Sequence, residues 1–409
     1  LSTVYDTFCD DRHANPKEPQ VTLTALELED MLETTRRFVT KRLVPLEQEI
    51  DDQAEVDPDV WRSLIAESVE LGLYSANVPE HLGGPGLSIY EQTRLWEEFG
   101  ATTWPLTYVL ARPHRILFEC TEMQREKYLD PVLSGEREQC FALTEPGSGS
   151  DNGAMRTRAT KVPGGYRITG SKHFITFGSA DFAIVFAVTG PPAEGRRTPQ
   201  VTAFLVDKGT PGYVIGGRQR MMGWHALDER ELFFEDCFVP DEQVLGEPGQ
   251  GLRLALASVA QRRLQMAGYA VGAMERLVSL STEFAKLRVV FDEPIAQKQG
   301  IRWMLADMAV EPYVARAAVY DATRLCDEGR AAGLSDRELA TTFGKQISIA
   351  KLYATTALNR VADQAVQIHG GMGFSREYPV ERLYRDARGL RIVEGTDEVH
   401  REIISKHLV

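Results

Sequence analysis

The sequence is poor in the residues from which several large protein classes are built. Its five cysteines (Cys9, Cys120, Cys140, Cys237 and Cys326) stand singly, with no CxxC and no Cys/His pair at ligand spacing. An odd, scattered set makes no disulfide framework and indicates a reducing compartment. The histidines (His13, His81, His114, His173, His225, His369, His400 and His407) form neither HExxH nor another paired metal motif. No GxSxG elbow or Walker loop occurs. Positive charge is also short: 46 Lys and Arg against 59 Asp and Glu leave −13, without the clustered cations that a nucleic-acid partner requires. A local basic cleft for a small anion remains open. The longest strongly apolar run, Phe182–Val188, is far too short to cross a bilayer, so no transmembrane segment is expected. Leu1–Gln20 has neither the apolar core of a secretory signal nor the arginine richness of a transit peptide. The chain has no initiator Met, and a removed presequence stays open.

What is present is an ordinary globular balance, 43% hydrophobic and 26% charged, over 409 residues, enough for two or three packed units. Residues 1–140 read as helical. Thr24-Ala-Leu-Glu27 is a capping box, and Asp57-Pro58 opens a second helix that Gly72 should stop. Residues 141–250 change rhythm to short runs rich in Val, Ile, Phe and Thr. Val162-Pro-Gly-Gly165 reads as a turn, and Phe182–Val188, Val201–Val206 and Leu232–Phe234 as strands, for which antiparallel, closed or nearly closed pairing is economical. Residues 251–409 return to long helices, through Leu287, from Pro294 to about Asp327 and from Ser335 to about Ile368, expected to pack as a four-helix bundle.

Three segments could carry chemistry. Phe141-Ala-Leu-Thr-Glu-Pro-Gly-Ser-Gly-Ser-Asp151 is polar and glycine-rich, offering amides and small hydroxyls to a flat or phosphorylated ligand; taken alone, it is equally consistent with a bland loop. Phe174 and Thr176 lie two apart on a strand-like run, so one face pairs an aromatic ring with a hydroxyl, as a planar heterocycle or an ordinary core would both require. Gln367-Ile-His-Gly-Gly-Met-Gly-Phe374 ends a helix with more glycine than a C-cap needs. Beyond it, Glu394 sits between an apolar pair and Gly395, a setting that desolvates a carboxylate and raises its pKa, although a lone Glu is ordinarily a surface residue.

Together, in order and spacing, the segments resemble the acyl-CoA dehydrogenase family over nearly the whole chain. Thr144-Glu-Pro-Gly-Ser-Gly-Ser-Asp151 is similar to its first signature. Gln367-x-x-Gly-Gly-x-Gly-Phe374 with Glu377, Arg382 and Asp386 is similar to its second, and Arg288-Val-Val-Phe291 with Gln299 to its Arg-x-x-Phe…Gln segment. The resemblance implies a helical, a β and a helical-bundle domain, an FAD cofactor, an acyl-CoA substrate and electron-transferring flavoprotein as acceptor. It places Phe141, Thr144 and Ser150 along the flavin and Phe174 and Thr176 at its ring system. It assigns Arg288, Phe291, Gln299, Gln367 and Gly371 to the FAD of a neighbouring subunit of a homodimer or homotetramer, and Thr396 to a further flavin contact. Glu394, in Glu-Gly-Thr396, matches the base that removes the α-proton; the alternative base position of some members holds Arg262, which cannot serve. A fatty or branched acyl group and a bacterial cytoplasm or mitochondrial matrix are expected, with a pocket lined by the helices near Val78–Arg115.

Three positions depart from the family pattern. Asp292 replaces Gly, Phe174 replaces the usual Trp, and Asp397 either tunes the base or faces solvent. Arg218-Gln-Arg-Met-Met-Gly-Trp-His225 either meets CoA phosphates or is a solvated loop. The rival readings are an oxidase or monooxygenase of the same fold, or a scaffold protein without catalysis.

Overall fold

The computed structural model describes residues 23–192, 194–195 and 198–409. Cys9, His13 and the Leu1–Gln20 stretch lie outside the described residues, and the other four cysteines are free thiols. The N-terminal region is helical: α1 (Ala25–Phe38), α2 (Glu47–Gln53), α3 (Pro58–Glu70), α4 (Ile89–Phe99) and the short α5 (Glu122–Gln124) and α6 (Asp130–Leu133). Thr24 caps α1 through both arms of the box, its Oγ1 accepting from the Glu27 amide and Glu27 accepting from the Thr24 amide at 2.8 Å. Asp57 caps α3 by accepting from Asp59 and Val60, and Gly72, at φ +71, ends it.

The middle region is one curled sheet of β1 (Gln139–Ala142), β2 (Arg158–Val162), β3 (Gly165–Ile175), β4 (Phe182–Gly190), β5 (Gln200–Asp207), β6 (Tyr213–Arg218), β7 (Arg230–Pro240) and β8 (Val244–Leu245). Its order is β6-β7-β3-β2-β4-β5-β8. Pairing is antiparallel except on β4, where β1 runs parallel over four residues and β2 meets it in parallel at Arg158↔Val188. Among the described residues no ladder joins β6 to β8. The concave face closes over Tyr166, Ile168, Phe204, Val206, Phe234 and Val239, and the outer face of β4 and β5 packs on Leu117, Tyr128 and Leu129 of the first region.

The C-terminal region is built on α7 (Gly251–Leu287), α8 (Gln299–Ala331), α9 (Asp336–Thr342) and α10 (Gly344–His369), followed by α11 (Pro379–Gly389) and α12 (Asp397–Lys406). Here two boundaries differ from expectation. Helix α8 starts at Gln299 rather than Pro294, because Glu293–Pro294 folds back to pair with Val289–Val290. The run from Ser335 is two helices, since Phe343 leaves helical geometry (φ −107, ψ 11) before Gly344.

Two buried carboxylates lock the three regions together. Glu47 accepts from Arg276 at 2.7 and 2.8 Å, from Arg382 at 3.2 Å and from the Thr103 amide at 3.0 Å. Asp386 accepts from the Thr103 hydroxyl and from the Trp224 amide at 2.8 Å. Removing one partner from such a buried cluster costs about 3–5 kcal/mol, because the charge left behind is uncompensated. Arg382 and Asp386, read from sequence as signature residues, therefore sit at the domain junction rather than among reacting groups.

Candidate active site

Glu394 lies in the turn between α11 and α12, and the turn is strained. Glu394 has φ +54 and Gly395 φ +101. A left-handed non-glycine residue costs about 1–3 kcal/mol and persists only where its surroundings over-determine it. Here Arg263 on α7 donates to the Glu394 carbonyl at 2.9 Å, and Lys351 on α10 donates to the Gly395 carbonyl at 2.8 Å. A Cβ on Gly395 would come within 3.2 Å of the Arg263 guanidinium. Thr396 closes the turn by capping α12, accepting from the Val399 amide at 3.3 Å.

The carboxyl of Glu394 is partly buried, and burial raises its pKa against the opposing pull of Arg262, Arg263 and Lys351. The Glu394 amide makes no hydrogen bond among the described residues, leaving an unused donor beside the carboxylate. Asp397 does not face solvent: it is buried and paired with Arg391 at 2.7 Å, so its charge is spent within the turn.

Across the cleft stand groups from the other two regions. The Arg262 guanidinium lies over Trp96 at 4.6 Å, Tyr108 at 5.7 Å and Trp104 at 5.8 Å. Trp96, Trp104 and Tyr108 all belong to the stretch expected to line the pocket. His114 stacks on Phe141 at 4.2 Å, and burial beside Arg262 and Arg112 pushes its imidazole down to about 3, so it is neutral. Thr176 donates to Glu229 at 2.7 Å. Burial pushes the Glu229 carboxyl up to about 7, with the Thr176 bond opposing. Tyr108, whose ring lies under Arg262, has its hydroxyl raised by burial, with Arg262 opposing and Glu229 adding to the rise.

The remaining positions expected along a flavin lie at or beyond the C-terminal ends of β1 and β3. The Thr144 carbonyl accepts from the His173 amide at 2.9 Å. The loop behind it is anchored by Glu145, which Lys172 and the amides of Arg156 and Thr157 hold below the usual carboxylate range. Ser150 is exposed, and a Cβ at Gly147 or Gly149 would meet nothing within 4 Å. Phe174 is 53% exposed at φ +55, and a register shift separates Lys172 from Ile175. Simple strand alternation therefore does not present Phe174 and Thr176, and a bulge does. An open glycine loop beside a strained, uncovered aromatic ring and a hydroxyl is a donor set that fits a flat, phosphorylated cofactor.

Arg288, Phe291, Gln299, Gln367 and Gly371 are brought to a different place. All five are exposed, Phe291 at 88%. Arg288 lies 25 residues beyond Arg263 on and just past α7, about 37 Å along the helix axis. The Gln367–Phe374 segment joins this end through His369, whose ring packs on Phe284 at 4.4 Å. Gly370 adopts φ +57 and ψ −132, and Gly373 has no room for a Cβ against the Val366 carbonyl. Gly371 faces open space. Asp292 takes φ +64, the left-handed conformation that glycine would hold without strain.

Sequence reasoning missed Arg263, Lys351 and Glu229. The first two lie on helices remote in the chain from Glu394, and Glu229 looks like one of the charged residues in Asp228-Glu-Arg230. The 218–225 segment is partly committed: Trp224 is buried and Arg218 donates to the carbonyls of His225 and Leu227 at 2.6 and 3.0 Å, while Arg218, Arg220 and Met222 are exposed.

Comparison with known proteins places all three regions of the chain in one family. The acyl-CoA dehydrogenase N-terminal, middle and C-terminal domain models match residues 26–136, 140–237 and 249–409. An acyl-CoA dehydrogenase of Bacillus subtilis is 39% identical over 387 residues, 93% of this chain and 97% of that protein. A subunit of the caffeyl-CoA reductase-Etf complex of Acetobacterium woodii is 34% identical, over 91% of this chain and 96% of its own length. The structure of an acyl-CoA dehydrogenase from Bacillus anthracis complexed with FAD superposes with a TM-score of 0.84 at 31% identity, covering 94% of this chain and 66% of that one. With all three domains matched in order around one strained carboxylate, the chain belongs to the acyl-CoA dehydrogenase family.

Proposed function

We propose that the cleft dehydrogenates an acyl-CoA thioester to the trans-2-enoyl-CoA, with Glu394 as the base that takes the α-proton. The observation that carries the assignment is the Glu394 turn: a desolvated carboxyl on a strained backbone, pinned by Arg263 and Lys351, beside an unused amide. An α-C–H next to a thioester is a weak acid, so its removal needs both a water-poor carboxylate and a donor for the developing enolate oxygen. The free Glu394 amide supports that second role. FAD, when bound, supplies acceptance of the β-hydride. Phe141, Thr144, Ser150, Phe174, Thr176 and Thr396 would hold it on the cleft side. The cations around Glu394 keep its carboxylate form accessible at neutral pH against the burial that opposes it.

Arg288, Phe291, Gln299, Gln367 and Gly371 cannot reach the same ligand from the far end of α7, and we assign them to the FAD of a neighbouring subunit. Exposed Phe291 and Phe374, with an uncovered stripe of Trp303, Val310 and Val314 on α8, support a homodimer or homotetramer. Among the described residues no helix is long and apolar enough to cross a membrane. Electron-transferring flavoprotein is the proposed acceptor, in a bacterial cytoplasm or mitochondrial matrix; the Etf-complex relative supports the first of these. That relative is a reductase, so enoyl-CoA reduction is the second direction to test. Anaerobic titration of the flavin band with a panel of thioesters decides: bleaching names the substrate class. An oxidised band that none bleaches, with a reduced band that enoyl-CoA reoxidises, would reverse the direction. Turnover with oxygen would move the assignment to an oxidase.

A further inference from the structure

Arg263 and Lys351 donate to backbone carbonyls of the Glu394 turn, whereas Arg262 beside them has little to bind. Its one hydrogen bond is to Gln265 Oε1, at 3.3 Å. Among the described residues no carboxylate lies within 4.0 Å of it, and its Nε and Nη2 have no partner yet are not sealed into the interior. Arg112, across the same aromatic wall, is by contrast charge-paired, although its buried Nε has no acceptor. It lies over Phe177 at 4.6 Å but is paired with Glu138 and donates to the Gln139 carbonyl at 2.7 Å.

A guanidinium cannot shed its charge in a protein, and aromatic faces hold a cation without accepting its N–H groups. Glu394 shares the field of Arg262 but lies outside ion-pair distance, and a base must keep its lone pairs free. The acceptor is therefore missing from the chain. The surroundings limit what supplies it. Trp96 and Trp104, over which the Arg262 guanidinium lies, are fully buried, and Gln92, Gln261 and Gln265 form a buried hydrogen-bonded polar set on α4 and α7.

We propose that Arg262 is a specificity-determining residue that binds a carboxylate at the end of a short acyl chain, making the substrate the CoA monothioester of a short dicarboxylic acid. This rests on the reading of the cleft as an acyl-CoA site and narrows it. Planar, bidentate pairing is what guanidinium offers a carboxylate, and a neutral acyl end would leave the charge uncompensated on binding.

The test compares thioesters of equal chain length with and without a terminal carboxylate, in FAD-loaded wild type, Arg262→Met and Arg262→Lys. The first readout is kcat/KM from flavin reduction. The second is calorimetric affinity of Glu394→Gln protein, with and without Arg262→Met, for the matching thioether analogues. We expect wild type to favour the carboxylated member about ten- to hundredfold, as a charge-assisted pair implies. Arg262→Met should abolish or reverse the preference, and Arg262→Lys should restore part of it. A wild type that favours the uncharged member overturns the proposal. So does an Arg262→Met variant that slows both members alike and shifts their pH profile, since Arg262 would then act only on Glu394. Carboxylate-selective analogue binding without flavin reduction would uphold Arg262 and remove the dehydrogenase reading. Failure of either analogue to bind would remove both.

Discussion

The two ends of α7 carry the two halves of the proposed site, and they are built by opposite means. Near Arg263 the turn is held from within the chain: Glu394, Gly395 and Asp397 are fixed by Arg263, Lys351 and Arg391, and Asp397 and His400 are buried. Beyond Leu287 the chain leaves work undone. Phe291 and Phe374 are exposed at 88% and 86%, and Phe291 and Asp292 hold left-handed backbone, with the Lys298 ammonium 5.8 Å from the Phe291 ring. Strain bought by internal contacts marks a site that exists in one subunit, while strain beside bare apolar surface marks one that a second subunit or ligand completes.

The comparison is broken most directly at its inner end. Glu394→Gln should retain the flavin spectrum while flavin reduction by acyl-CoA falls about 10³-fold or more; a loss under tenfold would place the base elsewhere. Glu229→Gln probes the inner end by stability. The folded Glu229 carboxyl is raised from 4.5 to about 7, so its favourable contribution is complete below 4.5 and lost as pH rises through 7. The Gln variant should therefore match wild type in acid and exceed it by up to about 3 kcal/mol on the alkaline side, seen in chemical denaturation. An equal difference at both pH values would mean that Glu229 is ionised in the fold.

At the outer end, Phe291→Ser should weaken FAD retention by roughly tenfold and loosen the oligomer, read by ultrafiltration and sedimentation, with the Glu394 turn intact. Wild-type retention in a monomer would dissolve the two-subunit reading. The smallest effect is in the pH profile. Because burial raises Glu394, flavin reduction should fail as pH drops through that raised value. Lys351→Met removes a cation that favours the carboxylate and should move the inflection upward by roughly one unit. An inflection that moves down would contradict the assignment of that limb to Glu394.

Local chemistry made much of this legible in the sequence. The Thr24–Glu27 box, the Asp57-Pro58 start and the Val162–Gly165 turn are each decided within a few residues, and each stands where the sequence put it. Hidden from the sequence was whatever depends on distant neighbours. The β1–β4 pairing skips two intervening strands, and the late start of α8 depends on a fold-back at Val289–Pro294. Glu394 could be picked out by its motif, but the cations that govern it lie 131 and 43 residues earlier in the chain, at Arg263 and Lys351. The fate of Asp397 likewise turned on Arg391, a partner that spacing alone does not orient.

The Asp386 junction has a consequence for how the chain is made. Its contact with Thr103 spans 283 residues, and that of Glu47 with Arg382 spans 335. As the chain emerges from the ribosome, the first two regions are complete long before the carboxylate and guanidinium that clamp them exist. Thr103, Trp224 and Glu47 must wait with buried polar groups unmatched, so the early intermediate stays loose and exposed to aggregation until the last thirty residues or so arrive. Truncation just before α11 should therefore cost more than its length suggests, and the slow step in refolding should be the docking of the C-terminal segment rather than the closing of the sheet.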